Sequence, residues 1–241
     1  MITVFSHERP RLTLTDVARH AGFTRATARR LLITLESLGY ARSDGKYFEL
    51  TAKVLELGFA YLSSLDLNEV AQRDMQELGE ITSESCSAAV LDEAEIVYVA
   101  RVPTKRSRIM AISLGIGSRL PAFCTSLGRV LLAAQPEERV RELLGAAPLP
   151  RFTPQTIVDL DDLIAELATV RAQGWALVDQ EREIGVRSIA APLRDRSGAV
   201  VAALNVSCNP AHIDLETLRG KLLPALLSTA TTISNQLASR P

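Results

Sequence analysis

The chain has 241 residues, of which 47% are hydrophobic and 23% are charged, and its formal net charge is −1 at pH 7. This length allows one small and one medium domain with a buried core. No apolar run reaches the roughly 18 residues of a membrane span, and the first residues lack the basic and apolar segments of a signal peptide. Three cysteines and three histidines, all far apart, argue against a disulfide scaffold or a metal site. These features predict a cytoplasmic protein with reduced thiols, no metal, no other cofactor and no membrane partner.

The segment from Leu14 to Leu38 has the pattern of a helix-turn-helix. Gly22 can adopt the positive φ that a tight turn between two helices requires, and Phe23 is expected to fill this turn. Small or apolar residues stand where the helices would touch: Val17, Ala18, Ala21, Ala28, Leu31 and Leu35. A solvated helical hairpin is the alternative interpretation of this pattern alone.

The second helix of this motif has the chemistry of a DNA-recognition helix. Thr24 is suited to the N-cap, because its hydroxyl can accept a backbone N–H of the first turn. Recognition helices contact base edges through their first residues, and arginine suits guanine and phosphate. The predicted DNA-binding residues of this helix are Thr24, Arg25, Thr27, Arg29, Arg30 and Thr34.

A wing is predicted directly after this helix. Gly39 is placed to end the helix, and Tyr40 to Leu50 contains two short strand-like runs around the turn signal Ser43-Asp44-Gly45. Arg42 and Lys46 flank the tip, where a wing meets the phosphate backbone or the minor groove. Residues 1–53 carry a net charge of +4 and the remainder −5. This division favours DNA binding by the first part, although chance clustering can also produce a net +4.

An amphipathic helix is predicted from Thr51 to Leu65, with more apolar residues than one helix face needs. Packing against a second copy of itself explains this excess, and burial within a single fold is the alternative. The expected organisation is therefore a DNA-binding domain over residues 1–51, a linker helix over 52–66 and a larger domain over 67–241.

The larger part of the chain is predicted to be α+β, with helices around an antiparallel sheet. The predicted helices are Asp66–Glu84, Ser126–Ala134, Pro136–Leu144, Leu160–Gln173 and Leu215–Leu237, the last one broken at Pro224. The predicted strands are Cys86–Leu91, Glu95–Arg101, Arg108–Ser113, Trp175–Val178, Ser188–Arg194 and Ala199–Cys208. The segment from Leu114 to Pro121 is expected to be a loop.

A site for an anion is predicted where Cys124-Thr125-Ser126-Leu127-Gly128 opens a helix. Free N–H groups and the helix dipole favour a carboxylate there, with a hydroxyl from Thr125 or Ser126 and space left by Gly128. A simple N-cap without a ligand is the alternative. Three polar residues also interrupt apolar strands, namely Ser188, Asn205 and Ser207. Buried polar groups need partners, which are a ligand, each other or water.

The chain resembles the IclR family of bacterial transcriptional regulators. The resemblance rests on RLTLTDVARHAGFTRATARRLLITLESLGYA, on IVYVARVPTKRSRIMAISLGIGSRLPAFCTSLGRVLLA and on GWALVDQEREIGVRSIAAPLRDRSGAVVAALNVS. These segments are most similar to the branch that controls catabolism of aromatic acids: the protocatechuate, 4-hydroxybenzoate and β-ketoadipate regulators. The family implies a winged helix-turn-helix, a linker helix and a GAF-like effector domain. It also implies dimers or tetramers on double-stranded operator DNA, with RNA polymerase as a possible further partner. Its members usually have a longer N-terminus, with a full first helix before Phe5.

The resemblance also implies an effector site. In such domains the effector carboxylate meets the backbone at the positions of Ser126 and Leu127, and further contacts match Ile109, Ile112, Val178, Ser188, Asn205 and Ser207. Ile109, Ile112 and Phe123 are expected to form apolar walls, and the apolar Val178 favours a larger aromatic acid. Candidates for pairing with the carboxylate are Arg106, Arg108 and Arg187, and a surface position or a structural ion pair is the alternative for each.

The sequence leaves two other functional classes open. One is a hydrolase of aromatic esters or amides, in which Cys124 or Ser126 is the nucleophile and His212 the base. No G-x-S-x-G motif supports it. The other is a DNA-binding protein without a small ligand.

Overall fold

The computed structural model describes residues 1–65, 67–103 and 114–239 and separates them into two compact units. The first unit is Met1–Leu65, and the second comprises the described residues after it. The predicted strand Arg108–Ser113 and the candidates Arg106, Arg108, Ile109 and Ile112 lie outside the described residues. Within these ranges, no helix is both long and apolar enough to cross a membrane.

The first unit is a winged helix-turn-helix followed by a further helix. It contains a 3₁₀ helix (Ile2–Val4), β1 (Arg11–Thr13), α1 (Leu14–Ala21), α2 (Arg25–Ser37), β2 (Ala41–Ser43), β3 (Tyr47–Leu50) and α3 (Val54–Ser64). The strands form an antiparallel sheet in the order β1-β3-β2. Strand β1 was not expected from the sequence. Its three residues carry little local signal, and their pairing with β3 creates the strand.

Local sequence signals fix both ends of α1. Thr13 and Asp16 form a capping box at its start, and Gly22 ends it with φ 67°. The core of this unit contains Val4, Leu12, Val17, Ala18, Ala28 and Leu32.

Two packing predictions for this unit are wrong. Leu31 is 38% exposed, and its neighbour Leu32 is completely buried. At this turn of α2 the buried residue is therefore one position later than predicted. Phe23 is 42% exposed and therefore does not fill the turn. Gly22 makes the turn by its backbone conformation alone.

The second unit is α+β, as predicted, with one antiparallel sheet. Its helices are α4 (Leu67–Thr82), α5 (Ser126–Ala133), α6 (Glu137–Leu144), α7 (Leu160–Gln173), α8 (Leu215–Thr217) and α9 (Leu223–Ala238). Its strands are β4 (Ser85–Asp92), β5 (Glu95–Val102), β6 (Arg119–Pro121), β7 (Ala176–Asp179), β8 (Arg187–Arg194) and β9 (Val200–Cys208). The described strands are ordered β6-β5-β4-β9-β8-β7, and neighbouring strands are antiparallel.

Helices flank this sheet. Helices α5, α6 and α7 share an apolar core with strand residues such as Ala89, Ala190 and Ala203. On β4, the Cys86 thiol donates a hydrogen bond to the Met75 carbonyl of α4 at 3.0 Å. The neighbouring Ser87 lies opposite Asn205 of β9, on the same face of the sheet as Ala203, which packs with α5. Because neighbouring residues of a strand project to opposite faces, α4 lies on the other side of the sheet from α5.

The structure changes two predicted elements of this unit. The end of the expected loop Leu114–Pro121 is strand β6, which pairs with β5. The closing helix is irregular as expected, but a π-helical turn at Leu218–Leu222 interrupts it just before Pro224, and Pro224 stands in the first turn of α9. Proline is tolerated in a first turn because the N–H groups there have no helical acceptor.

Candidate functional site

Helix α2 presents free cations to solvent. Arg25, Arg29 and Arg30 are exposed and have no carboxylate partner among the described residues. Thr24 caps the helix as predicted and accepts from the Thr27 N–H at 3.2 Å. Its hydroxyl also donates to the Thr27 hydroxyl at 3.0 Å. These two threonines therefore shape the start of the helix, while the arginines remain available to an anion.

Thr34 also uses its hydroxyl within the helix, because it donates to the Arg30 carbonyl at 3.0 Å. Back-bonding of this kind is common for threonine in helices. The residue is exposed. Thr34 can therefore offer a partner its methyl group and the lone pairs of its hydroxyl oxygen.

The wing is a hairpin closed by Asp44. The Asp44 carboxylate accepts from the backbone N–H groups of Tyr47 at 2.8 Å and Lys46 at 2.9 Å. These hydrogen bonds, with that of Tyr47 the strongest, hold the pKa of Asp44 below its usual value. The Lys46 ammonium lies 5.1 Å from the centre of the Tyr47 ring, at the tip of the hairpin.

The arginines of the wing are already paired. The Arg42 Nε donates to Glu49 Oε1 at 2.6 Å, and Arg11 pairs with Asp44 and approaches Glu49. Arg42 was predicted to be a DNA contact, whereas Arg11 was not singled out. The pairing of β1 with β3 brings Arg11 to the wing, and no local sequence signal indicates this.

Helix α3 begins against the end of α2. Thr51 Oγ1 donates to the Gly39 carbonyl at 2.6 Å, and Lys53 Nζ donates to the Leu38 carbonyl at 3.0 Å. Cationic side chains are favourable at the carbonyl end of a helix. None of the residues of α3 is buried, and Leu55 and Phe59 are 71% and 73% exposed. The predicted excess of apolar surface on this helix is present.

The second unit contains a cavity at the first turn of α5. It is lined by most of the predicted effector residues: Thr125, Ser126, Leu127, Val178, Ser188, Asn205 and Ser207. It is also lined by Cys124 and by seven residues that the sequence analysis did not single out: Tyr98, Arg101, Leu114, Leu120, Arg182, Glu183 and Val186. The cavity thus combines an apolar wall with several polar groups and a helix N-terminus.

Ser126 is the unsatisfied polar group of this cavity. Its residue is 1% exposed, and its Oγ has no hydrogen-bond partner in the described part of the chain. The backbone N–H groups of Ser126 and Leu127 also lack an acceptor among the described hydrogen bonds. Buried polar groups are normally bonded. Three donors in one turn are therefore available to an anionic ligand.

Two neighbours of Ser126 have structural roles. Thr125 Oγ1 accepts from the Gly128 N–H at 3.1 Å and approaches the carbonyls of Pro121 and Ala122, both at 3.3 Å, so it is a helix cap. Gly128 does not leave space for a ligand, because a Cβ there would lie 2.1 Å from the Ala122 carbonyl oxygen. Its missing side chain makes room for the backbone of Ala122.

The polar strand residues are partly bonded to the sheet and to each other. Asn205 Oδ1 accepts from the Ser87 N–H at 3.0 Å, and Asn205 Nδ2 donates to Ser207 Oγ at 3.1 Å. Ser188 lies beside Val178 and Ser207 in the register of β7, β8 and β9. Bonding to one another therefore accounts for Asn205 and Ser207, whereas a ligand as partner stays a prediction for these three residues, which all line the cavity.

Besides Gly128, two further predicted residues do not line the cavity. Phe123 is buried and stacks on Phe152, with ring centres 6.2 Å apart. Arg187 donates to Asp179 Oδ2 at 2.8 Å and to the Ile213 carbonyl at 3.0 Å, so it belongs to a structural ion pair. Among the residues that the structure describes, the arginines that line the cavity are Arg101 and Arg182.

Arg182 is a cation beside the cavity. Its guanidinium carbon lies 4.2 Å from the centre of the Phe152 ring, and its Nε has no partner among the described residues. The residue occurs in a polar run between β7 and Gly185, which in sequence resembles an ordinary turn. Only the fold shows that this turn faces α5.

A buried ion pair lies behind the cavity. Arg129 of α5 is 2% exposed and donates to Glu181 Oε2 at 2.6 Å and to the Phe123 carbonyl at 3.2 Å. Glu181 Oε2 also accepts from the Ile157 N–H at 3.2 Å. The pair joins α5 to the segment of residues 180–186 that carries Arg182, Glu183 and Val186. Two walls of the cavity are thereby held together.

The candidate nucleophile Cys124 is poorly suited to catalysis. Burial raises the pKa of its thiol to about 12, which keeps the thiol neutral at physiological pH. Burial likewise raises the pKa of Tyr98 to about 12, so its phenol remains a neutral donor. His212 is exposed and does not line the cavity.

Comparison with known proteins identifies relatives along the whole chain. A family model for the IclR helix-turn-helix domain matches residues 1–45, and one for the C-terminal part of the bacterial transcriptional regulator IclR matches residues 59–235. The Pca regulon regulatory protein of Pseudomonas putida is 43% identical over 98% of this chain and 81% of its own length. The p-hydroxybenzoate hydroxylase transcriptional activator of Acinetobacter baylyi is 38% identical over 98% of this chain and 88% of its own.

A solved structure adds a bound ligand. The crystal structure of an IclR homolog from Microbacterium hydrocarbonoxydans, complexed with 4-hydroxybenzoate, is 27% identical to this chain and has a TM-score of 0.83. It matches 99% of this chain and 96% of its own.

Proposed function

Since the chain belongs to the IclR family of bacterial transcriptional regulators, we propose that an aromatic carboxylic acid controls its binding to operator DNA. The observation that carries the proposal is the buried Ser126 hydroxyl, which has no partner among the described residues and lines a cavity at the start of α5. The solved homolog with bound 4-hydroxybenzoate and the activator of p-hydroxybenzoate hydroxylase support the class of acid.

The acid is placed with its carboxylate at the first turn of α5. There it accepts from Ser126 Oγ and from the N–H groups of Ser126 and Leu127, which the helix dipole assists. Arg182 adds positive charge from the opposite wall. The ring lies against Leu120 and Val178, and the neutral phenol of Tyr98 and the hydroxyls of Ser188 and Ser207 can bond ring substituents.

DNA is read by α2 in the major groove. Arg25, Arg29 and Arg30 contact bases or phosphates, Thr34 contributes its exposed surface, and Thr24 and Thr27 hold the first turn. Lys46 contacts the backbone from the tip of the wing. We assign residues 1–51 to this function, residues 52–66 to the linker, and the remainder to effector binding.

The surface of α3 supports the proposal of a homo-oligomer. A helix with no buried residue and with large apolar side chains exposed needs a partner, and a second copy of the same helix supplies one. Pairing of α3 would set two DNA-binding units side by side, as a palindromic operator requires. Dimers of dimers and contact with RNA polymerase remain predictions.

The alternatives are less well supported. A hydrolase would need an ionised nucleophile with a base in reach, whereas the raised pKa of Cys124 and the exposed position of His212 offer neither. A DNA-binding protein without a ligand would leave the three donors at Ser126 and Leu127 unexplained.

The test is fluorescence anisotropy on the DNA upstream of the protein's own gene, with and without 4-hydroxybenzoate, protocatechuate and β-ketoadipate. We expect specific binding that one of these acids changes. Binding that none of them changes would contradict the proposed acid class, and a protein that does not bind specifically would contradict the proposed DNA reading.

Two matched variants locate the acid. Ser126→Ala removes a hydroxyl without a partner in the free protein, so we expect unchanged stability and acid binding weakened about tenfold or more, the usual effect of losing a bond to a charged group. Ser85→Ala is the control, because the Ser85 hydroxyl is also buried without a partner in the described chain but does not line the cavity. Equal acid affinity in the two variants would place the carboxylate elsewhere.

A further inference from the structure

Glu49 stands between two arginines on the small sheet of the first unit. On β3 it lies directly opposite Arg11 of β1 and, on the other side, directly opposite Arg42 of β2. Directly opposed residues of antiparallel strands project to the same face of a sheet. Glu49 Oε1 accepts from Arg42 Nε at 2.6 Å, and Glu49 Oε2 lies 3.7 Å from Arg11 Nε. One carboxylate therefore serves both arginines.

This row of charges reaches the tip of the wing. Arg11 also pairs with Asp44, which closes the hairpin turn. The Arg11 guanidinium and the Lys46 ammonium share the Tyr47 ring, at 5.2 Å and 5.1 Å from its centre. The two cations are therefore at most about 10 Å apart, which is comparable to the Debye length of about 8 Å at physiological salt, so both can act on neighbouring phosphates.

We propose that Glu49 is a positioning residue that withholds Arg42 and, together with Asp44, Arg11 from the DNA backbone. The wing then contacts phosphate mainly through Lys46, although it carries three cations. The proposal rests on the proposed binding of DNA by the first unit. Within the sheet, the Glu49 carboxylate competes with DNA phosphate for the arginine side chains.

The physical basis is competition between two anions for the same guanidinium groups. An exposed ion pair contributes little to stability, so Glu49 does not lock the arginines in place. A phosphate that approaches them must nevertheless replace the carboxylate and then remain beside its negative charge. Both effects weaken contact with the backbone of any DNA sequence, because phosphate contacts carry no sequence information.

The decisive variant is Glu49→Gln. Glutamine has the same shape and can still accept a hydrogen bond from Arg42, so the sheet is expected to stay folded, which thermal unfolding will check. Each additional phosphate contact steepens the dependence of log K on log salt by about 0.9 and raises affinity at 50 mM salt, relative to 200 mM, by about threefold. We therefore expect a slope steeper by about one, from Arg42, since Asp44 still holds Arg11, and tighter binding to an unrelated 20-base-pair duplex.

Glu56→Gln is the matched control. Glu56 lies on α3 in the same unit, is exposed and has no ion-pair partner among the described residues, so the variant has the same net charge as Glu49→Gln. Its salt slope should equal that of the unchanged protein. Glu49→Gln behaving like Glu56→Gln would overturn the proposal, since the effect would then be net charge alone.

Arginine variants test the proposal from the other side. In the unchanged protein, Arg42→Ala should leave the salt slope almost as it was, whereas in the Glu49→Gln background it should remove about one unit of slope. A loss of one unit from the unchanged protein would contradict the proposal. Salt-dependent binding that is unaffected by Glu49→Gln overturns this inference alone, whereas a lack of salt-dependent binding by the unchanged protein overturns the proposed DNA reading as well.

Discussion

Gly128 controls how closely α5 meets the chain segment before it. The absence of a Cβ allows the backbone of Ala122 to cross the helix in direct contact, and this contact sets the position of Thr125 and Ser126. A helical glycine is ordinarily unfavourable, because it has more backbone freedom to lose than alanine. Here that cost is outweighed by a backbone contact that no other residue permits.

Gly128→Ala should therefore destabilise the second unit. The added Cβ would meet backbone atoms of Ala122 at 2.1 to 2.5 Å, and backbone cannot move away as a side chain can. We expect a loss of about 3 kcal/mol and a melting temperature lower by roughly 6 to 12 °C, as measured by thermal unfolding. Gly220→Ala is the control, since no heavy atom lies within 4 Å of its added Cβ. Equal melting temperatures of the two variants would refute the backbone contact.

Residues of the candidate site could be predicted when their role is local. The N-cap Thr24 and the helix start at Ser126 follow from sequence spacing, because capping involves residues at most three positions away. Arg11 and Arg182 could not be predicted, because strand pairing and chain folding bring them to their sites. Phe123 was assigned to the wrong surroundings for the same reason, whereas Arg187 forms the structural ion pair that was one of its two alternatives.

Among the elements, the helices were predicted more closely than the short strands. Helix α7 has the predicted bounds, and α5 differs by one residue, because apolar periodicity and end signals are contained in the helix itself. Strands β1 and β6 have three residues each and become strands only by pairing with β3 and β5. The burial of Leu32 instead of Leu31 shows that periodicity fixes the presence of a buried stripe better than its exact position.

The ion pair of Arg129 and Glu181 is the link between α5 and residues 180–186. Removing one partner of a buried ion pair leaves the other charge buried without compensation, and this destabilises the folded state. Glu181→Gln leaves Arg129 with Glu166, whose Oε1 lies 3.7 Å from its Nη1, and should lower the free energy of unfolding by about 3 kcal/mol, measured by urea denaturation. Arg129→Met should have a similar effect, and the double variant should be more stable than either single variant. Additive losses would show that the two residues are not coupled.

An exposed pair provides the comparison for this experiment. Arg73 and Glu77 are four residues apart on the surface of α4, with Nε and Oε1 3.0 Å apart. Glu77→Gln should cost at most about 0.5 kcal/mol, because solvent screens the pair.

At the scale of the whole molecule, α3 is the most exposed apolar element described. Leu55 and Phe59 are one helical turn apart and therefore lie on the same face. Pairing with a second copy would cover this face, whereas in a single chain both side chains remain in water.

Phe59→Lys should weaken self-association. A charge at the centre of a helix pair must be desolvated, so we expect the apparent mass in sedimentation velocity at micromolar concentration to move toward that of one chain. Ile116→Lys introduces the same charge at another exposed apolar position, outside α3, and should leave the mass unchanged. An unchanged mass for Phe59→Lys would place the interface on another surface.

The bonds from Thr51 and Lys53 to the carbonyls of Gly39 and Leu38 have a mechanical consequence. They join the C-terminal end of α2 to the N-terminal end of α3, so we expect a rotation of α3 to turn the recognition helix with it. A regulator built in this way would respond to its effector by changing the distance between two rigid DNA-binding domains and their relative rotation about the double helix. The base pairs that each DNA-binding domain prefers would stay the same. Only the distance between half-sites at which both domains can bind would change.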